Sequence, residues 1–468
     1  MTKMVYGKNH FAITSWSVLL VLLKFELVRC VLLCCRSSHM EDALEIKDVE
    51  EIVEAILIRL PPGEPENFVR ASLVCKLWCR LLSDNGFLGR YRAFHNIPPM
   101  LGLLHSWFCN DPFIPITKFI PRGHPKHNNV ADCRHGRVLF SDWVIWFPMT
   151  GNTRELPAPQ RGDNWNTDEC AAVLCAVDGC DHGACQSGPF FVVSISLDEE
   201  KVATAIVYSS ETSTWSAPTS LDLGFIESDI SLSWMPGVLS GGALHFILMH
   251  DARLGVLKYD LGTSCLSEIE PTFEIQSARY DSHALIAPED GQLGIARLNG
   301  FNLSVYWREV CHDQVATWKK SEVIDLKKHL LASDPMISHT ELVGSVERTA
   351  IIFATSNIGT YMIDLKSLRP KKLTSELRLF NHPWALFPYF SFYNPPVGQV
   401  ENVADLGESE MGSIDEESGE SESRSSDRES GESDAGSSEG EMRKLMLEAP
   451  MMKQKKPKLE TSSTKHRP

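Results

Sequence analysis

The residues best equipped for chemistry lie close together. Cys170, Cys175, Cys180 and Cys185 recur at a five-residue step, and His182 falls between the last two. Thiolate sulfur and imidazole nitrogen are the donors zinc prefers, and four of them complete a closed tetrahedral site. The spacing lacks the tight C-x2-C knuckle, however, and Cys170 and Cys175 flank the strand-like run Ala171-Ala172-Val173-Leu174. On spacing alone the thiols therefore read as buried small apolar groups. Cys175, Cys180, His182 and Cys185 remain the zinc candidates, and no cofactor is expected.

Elsewhere the His and Asp residues are scattered, with no nucleophile elbow, phosphate-cradling glycine loop or His-x-x-x-His pair. The chain is accordingly expected not to be an enzyme. Thirteen cysteines is an odd count, and Cys75 and Cys79 lie in a helical segment suited to facing a partner. Both features argue for a reducing compartment over a disulfide framework, with a cytoplasmic and/or nuclear location expected. Most of the net charge of -16 sits between Glu401 and Glu441, and no basic stripe elsewhere marks a nucleic-acid groove.

Residues 98–395 must position the cysteine loop. Here the apolar pattern is one of short period-2 runs broken by Gly, Pro, Asp and Ser, which predicts an all-β region. The runs repeat. Tyr208, Tyr259, Cys311 and Ile363 each precede a polar turn and are spaced by about 51 or 52 residues, a kelch-like blade period. Phe147 begins the series, and the cysteine loop fills the longer gap that follows it. About six blades are expected, with Leu101-Gly102-Leu103-Leu104 and Ala385-Leu386-Phe387 available to close the ring. Trp143, Trp146, Trp215, Trp234 and Trp307 read as blade core, and a ring of loops on a rigid scaffold reads as the binding surface.

Upstream, Val49, Ile52, Val53, Ile56, Leu57 and Leu60 follow helical spacing and form one apolar stripe. Pro61-Pro62-Gly63 ends that helix, and Pro65 suits the first turn of a second, which carries Phe68, Val69, Ser72 and Leu73 before a bend leads to Trp78, Leu81 and Leu82. Three short helices give a marginal core, so a partner is expected to cover what apolar surface is left. The segment 44–94 resembles an F-box of the plant type, from Ile56-Leu57-Ile58-Arg59-Leu60-Pro61 through Arg70-Ala71-Ser72-Leu73-Val74-Cys75-Lys76-Leu77-Trp78 to Phe87. The resemblance implies docking to a Skp-family adaptor, and through it to a cullin. It places Ile52, Ile56, Leu57, Leu60, Pro61, Leu73, Val74, Cys75 and Trp78 in the docking surface or its supporting core.

Residues 98–395 are likewise similar to the propeller-like F-box-associated region of plant F-box proteins. Together the resemblances imply a substrate receptor of a ubiquitin ligase, whose propeller recruits a protein while other subunits do the chemistry. The alternative is a membrane-tethered or stand-alone propeller scaffold, suggested by Ile46-Lys47 in place of an opening Leu-Pro and by the apolar leader 1–39. Lys24, Glu26 and Arg29 interrupt that leader before the ~20 apolar residues of a spanning helix. It is therefore expected to lie outside the folded protein, with no membrane partner. Residues 396–468 have too few apolar groups to offset chain entropy and are expected to be disordered. Ser413, Ser426 and Ser438 there each have an acidic residue three places on and are candidate phosphorylation sites, and a basic cluster follows at Lys453–Lys458.

Overall fold

Alternating apolar residues need two apolar surroundings, and the fold provides them by standing each sheet between two others. Ala171 and Val173 pack toward Leu139 and Ile145 on one side, while Ala172 and Leu174 pack toward Leu244 and Phe246 on the other. This is why the middle of that strand, Ala171-Ala172-Val173-Leu174, reads as an unbroken apolar run. The computed structural model describes residues 46–393, apart from the segments 107–112, 124–128, 160–167, 225–229, 251–253, 272–281, 311–315, 331–336 and 375–384 and the positions 181, 322, 338 and 339. They belong to one compact unit, Met1–Asp405. The leader 1–39, the second unit Leu406–Pro468 and the serines Ser413, Ser426 and Ser438 lie outside the described residues.

Six antiparallel sheets form a propeller. Blade 1 comprises Val130–Arg134, Arg137–Phe140, Val144–Trp146 and Thr153–Glu155. Blade 2 comprises Asp168–Cys175, Phe190–Leu197 and Val202–Ser209, with the outer pieces Thr214–Trp215 and Thr219–Asp222. In blade 3 the inner strand is split into Ile230–Leu232 and Val238–Ser240, both paired to Ala243–His250, and Leu254–Asp260 and Cys265–Ile269 follow. Blades 4 and 5 start at Ser282–Ile286 and Thr340–Val346. Blade 6 joins the two ends of the region: Leu386–Phe390 pairs with Met100–His105, which pairs with Phe113–Pro115. Leu104 stands opposite Phe387, so the two segments expected to close the ring do so.

The sequence repeat marks the same place in three blades. Tyr208, Tyr259 and Ile363 are the penultimate residues of the third strands of blades 2, 3 and 5, while Cys311 lies outside the described residues. The turns that follow carry their own chemistry. Asp260 accepts from the Gly262 and Thr263 backbone N–H groups, and Asp364 from that of Lys366, while Ser264 and Leu368 adopt left-handed backbone at φ 54°.

Among the described residues four helices precede the ring: α1 (Ile46–Leu57), α2 (Pro65–Ser72), α3 (Lys76–Ser83) and α4 (Asn85–His95). Helical spacing in the sequence predicts three. The additional helix arises at Asp84, whose carboxylate accepts from the Phe87 N–H at 2.7 Å and caps α4. Val53, Leu57, Leu60, Phe68, Trp78, Leu82, Phe87 and Tyr91 form the helical core, to which the propeller contributes Phe392.

A buried ionic cluster ties the blades across the channel. The Arg134 guanidinium is bound to Asp132, to Glu347 at 2.6 Å and to the Gly237 carbonyl at 2.5 Å. Asp132 also accepts from the Val173 N–H at 2.7 Å, and Glu347 from the Leu239 N–H at 2.7 Å. Burial raises the Asp132 carboxyl to about 6, against the downward pull of Arg134 and the Val173 N–H. Blades 1, 2 and 3 thus meet the end of blade 5's inner strand in one cluster. Replacing Arg134→Met should leave two inward-facing carboxylates unpaired and cost about 3 to 5 kcal/mol. Equilibrium urea unfolding would show it; a loss no larger than the ~0.5 kcal/mol of an ordinary surface change would mean that the cluster does not hold the ring.

Candidate functional site

Three places carry unusual side chains. The first is the helical unit. Leu57, Leu60 and Trp78 are buried in its core. Ile56, Pro61 and Val74 are half-buried, and Cys75, at the N-cap of α3, is exposed. Ile52 and Leu73 stand out at 53% and 59% exposure, and Val69, one helical turn before Leu73, is 43% exposed. The residues expected to dock or support docking thus separate into core and outward-facing sets, a distinction that helical spacing did not draw. Ile52, expected in the docking surface or its supporting core, faces outward: Val53, Leu57 and Leu60 take the inner face of α1, and Ile52 lies beside it. Charged pairs flank α1, with Arg90 bidentate on Glu54 and Arg80 3.1 Å from Glu50.

The helices are fixed to the ring by more than the linker. Phe392 and Tyr393, just past the last strand, meet Tyr91 and Phe68 edge-on at 6.1 and 6.4 Å between ring centroids. The Ser391 N–H donates to the Pro99 carbonyl at 3.2 Å, and Lys118 lies 3.6 Å from Glu66. Tyr91 itself donates to the Leu60 carbonyl at 2.7 Å.

The second place is the opposite mouth of the channel, where inner strands begin. A cavity of about 300 Å³ opens there among Val130, Asp168, Glu169, Trp143, Trp234 and Phe387. Its size is at the low end for a ligand pocket. The Ser106 hydroxyl and the Asn129 side-chain carbonyl are buried in its wall with no hydrogen-bond partner among the described residues. The cavity reaches inward to Gly237, the residue whose carbonyl Arg134 holds. Trp146 is fully buried and Trp143, Trp215 and Trp307 are half-buried, but Trp234 is 61% exposed. The expectation of blade core is therefore corrected for Trp234. It sits in the break between Ile230–Leu232 and Val238–Ser240, where the chain leaves the sheet. The dipeptide Pro236-Gly237 could have signalled that break.

The third place is the cysteine loop. Cys170 and Cys175 lie on Asp168–Cys175, as the apolar run between them implied, and Cys170 opens on the channel-mouth cavity. Beyond Cys175 the chain folds back. Gly179 and His182 take left-handed backbone at φ 65° and 59°, and a short 3-10 turn, Cys185–Ser187, leads into Phe190–Leu197. The donor atoms of Cys175, Cys180, His182 and Cys185 consequently lie within 4.8 Å of one another, while Cys170 is not among them. The His182 ring stacks on His135 at 3.8 Å, and Arg137 donates to the Cys185 and Gly188 carbonyls. Burial, above all, pushes the Cys185 thiol up to about 12. The five-residue spacing concealed this convergence because the loop's reversals lie in its backbone.

No family model and no curated protein matches the chain. Solved structures do match at low identity. The WD40 domain of SCAP from fission yeast is 16% identical with a TM-score of 0.29, covering 55% of this chain and 52% of that one. SapL1 lectin in complex with alpha methyl fucoside is 8% identical with a TM-score of 0.31, covering 51% and 77%. A puromycin-hydrolyzing peptidase of Mycobacterium tuberculosis is 13% identical with a TM-score of 0.27, covering 51% and 33%. This chain therefore spans about half of the first of these proteins. The propeller assignment rests on the strand register described above.

The joint between helices and ring has a measurable consequence. Phe392→Ala should cost the helical core about 3 to 5 kcal/mol, the range for a buried Phe truncation, and turn residues 91–99 into a preferred protease site. Limited proteolysis of the wild-type chain should spare that segment. Early cleavage there in the wild type would show a loose joint.

Proposed function

We propose that this chain is a substrate receptor: its helices dock on a Skp-family adaptor of a cullin ubiquitin ligase, and its propeller presents a protein substrate. The observation that carries the reading is the outward placement of Ile52 on α1, Val69 on α2 and Leu73 at the C-cap of α2, within the segment that bears the F-box-like residues. Large apolar side chains at 43 to 59% exposure on two short helices suit coverage by a partner. The coarser part of the reading needs no adaptor. A six-blade propeller with an open, tryptophan-lined mouth is a scaffold able to bind protein. Asp168 and Glu169 beside Trp143 and Trp234 favour a substrate segment with a basic or apolar side chain, which carboxylates and aromatic faces both attract.

On this reading the ends of the ring have separate tasks. The helices attach where the inner strands finish, and the cavity opens where they begin, so a bound substrate and the ligase would contact opposite faces of one body. Ubiquitin transfer itself would fall to other subunits, this chain supplying proximity. The second reading, a scaffold outside any cullin complex, shares the same mouth but leaves Ile52 and Leu73 without a role. Among the described residues no helix is long and apolar enough to cross a membrane.

The test uses the exposed positions, because Leu60→Ala would also damage the core. Ile52→Asp combined with Leu73→Asp should leave the melting temperature within a few degrees of wild type. Two central contacts worth about 2 kcal/mol each would lower affinity for a purified Skp-family adaptor by several hundredfold. Calorimetry showing wild-type affinity in the folded double variant, or no binding by the wild type itself, would remove the adaptor and leave the scaffold reading.

A further inference from the structure

We infer that Cys175, Cys180, His182 and Cys185 hold one zinc ion that clips the first loop of blade 2 against blade 1. Three thiols and an imidazole converge from within a single short loop, with all donor atoms inside 4.8 Å. Cys185 Sγ and His182 Nδ1 are 3.7 Å apart. With Zn–S near 2.3 Å and Zn–N near 2.05 Å, a tetrahedron places sulfur and nitrogen about 3.6 Å apart and two sulfurs about 3.8 Å apart. The donors therefore need only a small contraction to close on the ion. Cys3His is a closed donor set of the structural type, with no position left for a reacting water.

The surroundings fit a thiolate centre. Cys175 Sγ accepts from the Val177 N–H at 3.5 Å, and Cys180 Sγ from the His182 N–H at 3.4 Å. Such donors offset charge on metal-bound sulfur and orient it. Three thiolates, a neutral imidazole and Zn2+ leave one net negative charge. Arg137 supplies the counter-charge, its Nη1 lying 3.9 Å from Cys185 Sγ. This also accounts for Arg137. Its side chain is fully buried, its Nε has no hydrogen-bond partner, and no carboxylate is paired with it among the described residues. Carbonyl oxygens and the Phe190 ring solvate the guanidinium but carry no full charge to balance it. A buried cation is costly without an anion, and the zinc–thiolate group is that anion. Arg137 belongs to blade 1 and the ligands to blade 2, so the ion would join neighbouring blades on the face that also carries the helices.

The experiment is metal analysis of the full-length chain purified under reducing conditions without chelator. About one zinc per chain is expected. Cys180→Ser and His182→Ala should lower occupancy at least tenfold, while His182→Cys, which retains four donors, and Cys265→Ser, at an exposed thiol of blade 3, should keep it. Replacing zinc with Co2+ should give the visible bands of a tetrahedral thiolate site. A strong chelator should open residues 176–188 to protease, reversibly on adding Zn2+, because metal binding and local folding are one equilibrium. Wild-type protein that stays metal-free after incubation with equimolar Zn2+ and keeps the loop protected would overturn the proposal. So would a disulfide between any two of the three cysteines that persists in protein prepared under reducing conditions.

Discussion

Everything in this molecule depends on closing a ring of sheets, and the interaction that spans the ring is the Arg134 cluster. A guanidinium has five donors in a plane and can hold several acceptors at once. Here it takes Asp132 from its own strand, Gly237 from blade 3 and Glu347 from the end of blade 5's inner strand. The two carboxylates pass the contact on to backbone N–H groups at Val173 and Leu239. Apolar packing between blades is strong but indifferent to small slides of one sheet over the next. The ionic cluster is not, because displaced partners would be left buried and unpaired. It therefore sets the register of the blades around the channel, and so the shape of the mouth beyond Gly237.

Much of this was legible in the sequence, for a reason that particular residues make plain. Tyr208, Tyr259 and Ile363 recur because blades 2, 3 and 5 each need a large apolar residue at the same point of the third strand, followed by a turn. A turn built on Asp260 or Asp364 has local chemistry, so its signal survives in one chain. The closing strands could be read because Leu101–Leu104 and Ala385–Phe387 lie at the two ends of the repeat region and fit no complete blade between them. Signals that depend on backbone reversal could not be read. Cys175 and Cys185 come together through left-handed residues at Gly179 and His182, and side-chain spacing gives no notice of the latter. Trp234 turns outward because the inner strand of blade 3 is interrupted around it, and its residue type alone does not announce that break.

The helical unit shows the same division. Its existence and first helix follow from the stripe Val53, Leu57, Leu60, and Pro65 opens α2 as its fixed φ favours. What spacing could not decide was which apolar residues face out. Ile52 and Val53 are adjacent, and either could lie inward on a helix whose stripe is wide. Packing against Trp78, Leu81 and Leu82 selects Val53, and Ile52 is left in solvent.

Closure and docking share one strand, and this links the two ends of the molecule mechanically. Leu386–Phe390 completes blade 6 by pairing with Met100–His105, and three residues later the same chain has placed Phe392 and Tyr393 among the helices. The helices enter the ring on the other side of that pair, through Pro98-Pro99, and Ser391 bonds back to Pro99. A helix–ring joint made this way can swing only if the closing blade opens, because its anchors are continuous with a paired strand and not mounted on a loop. A partner on the helices would thereby be held at a set position relative to one in the mouth. On the proposed receptor reading such a joint would preserve proximity, since orientation is lost most readily at the point where two folded parts meet.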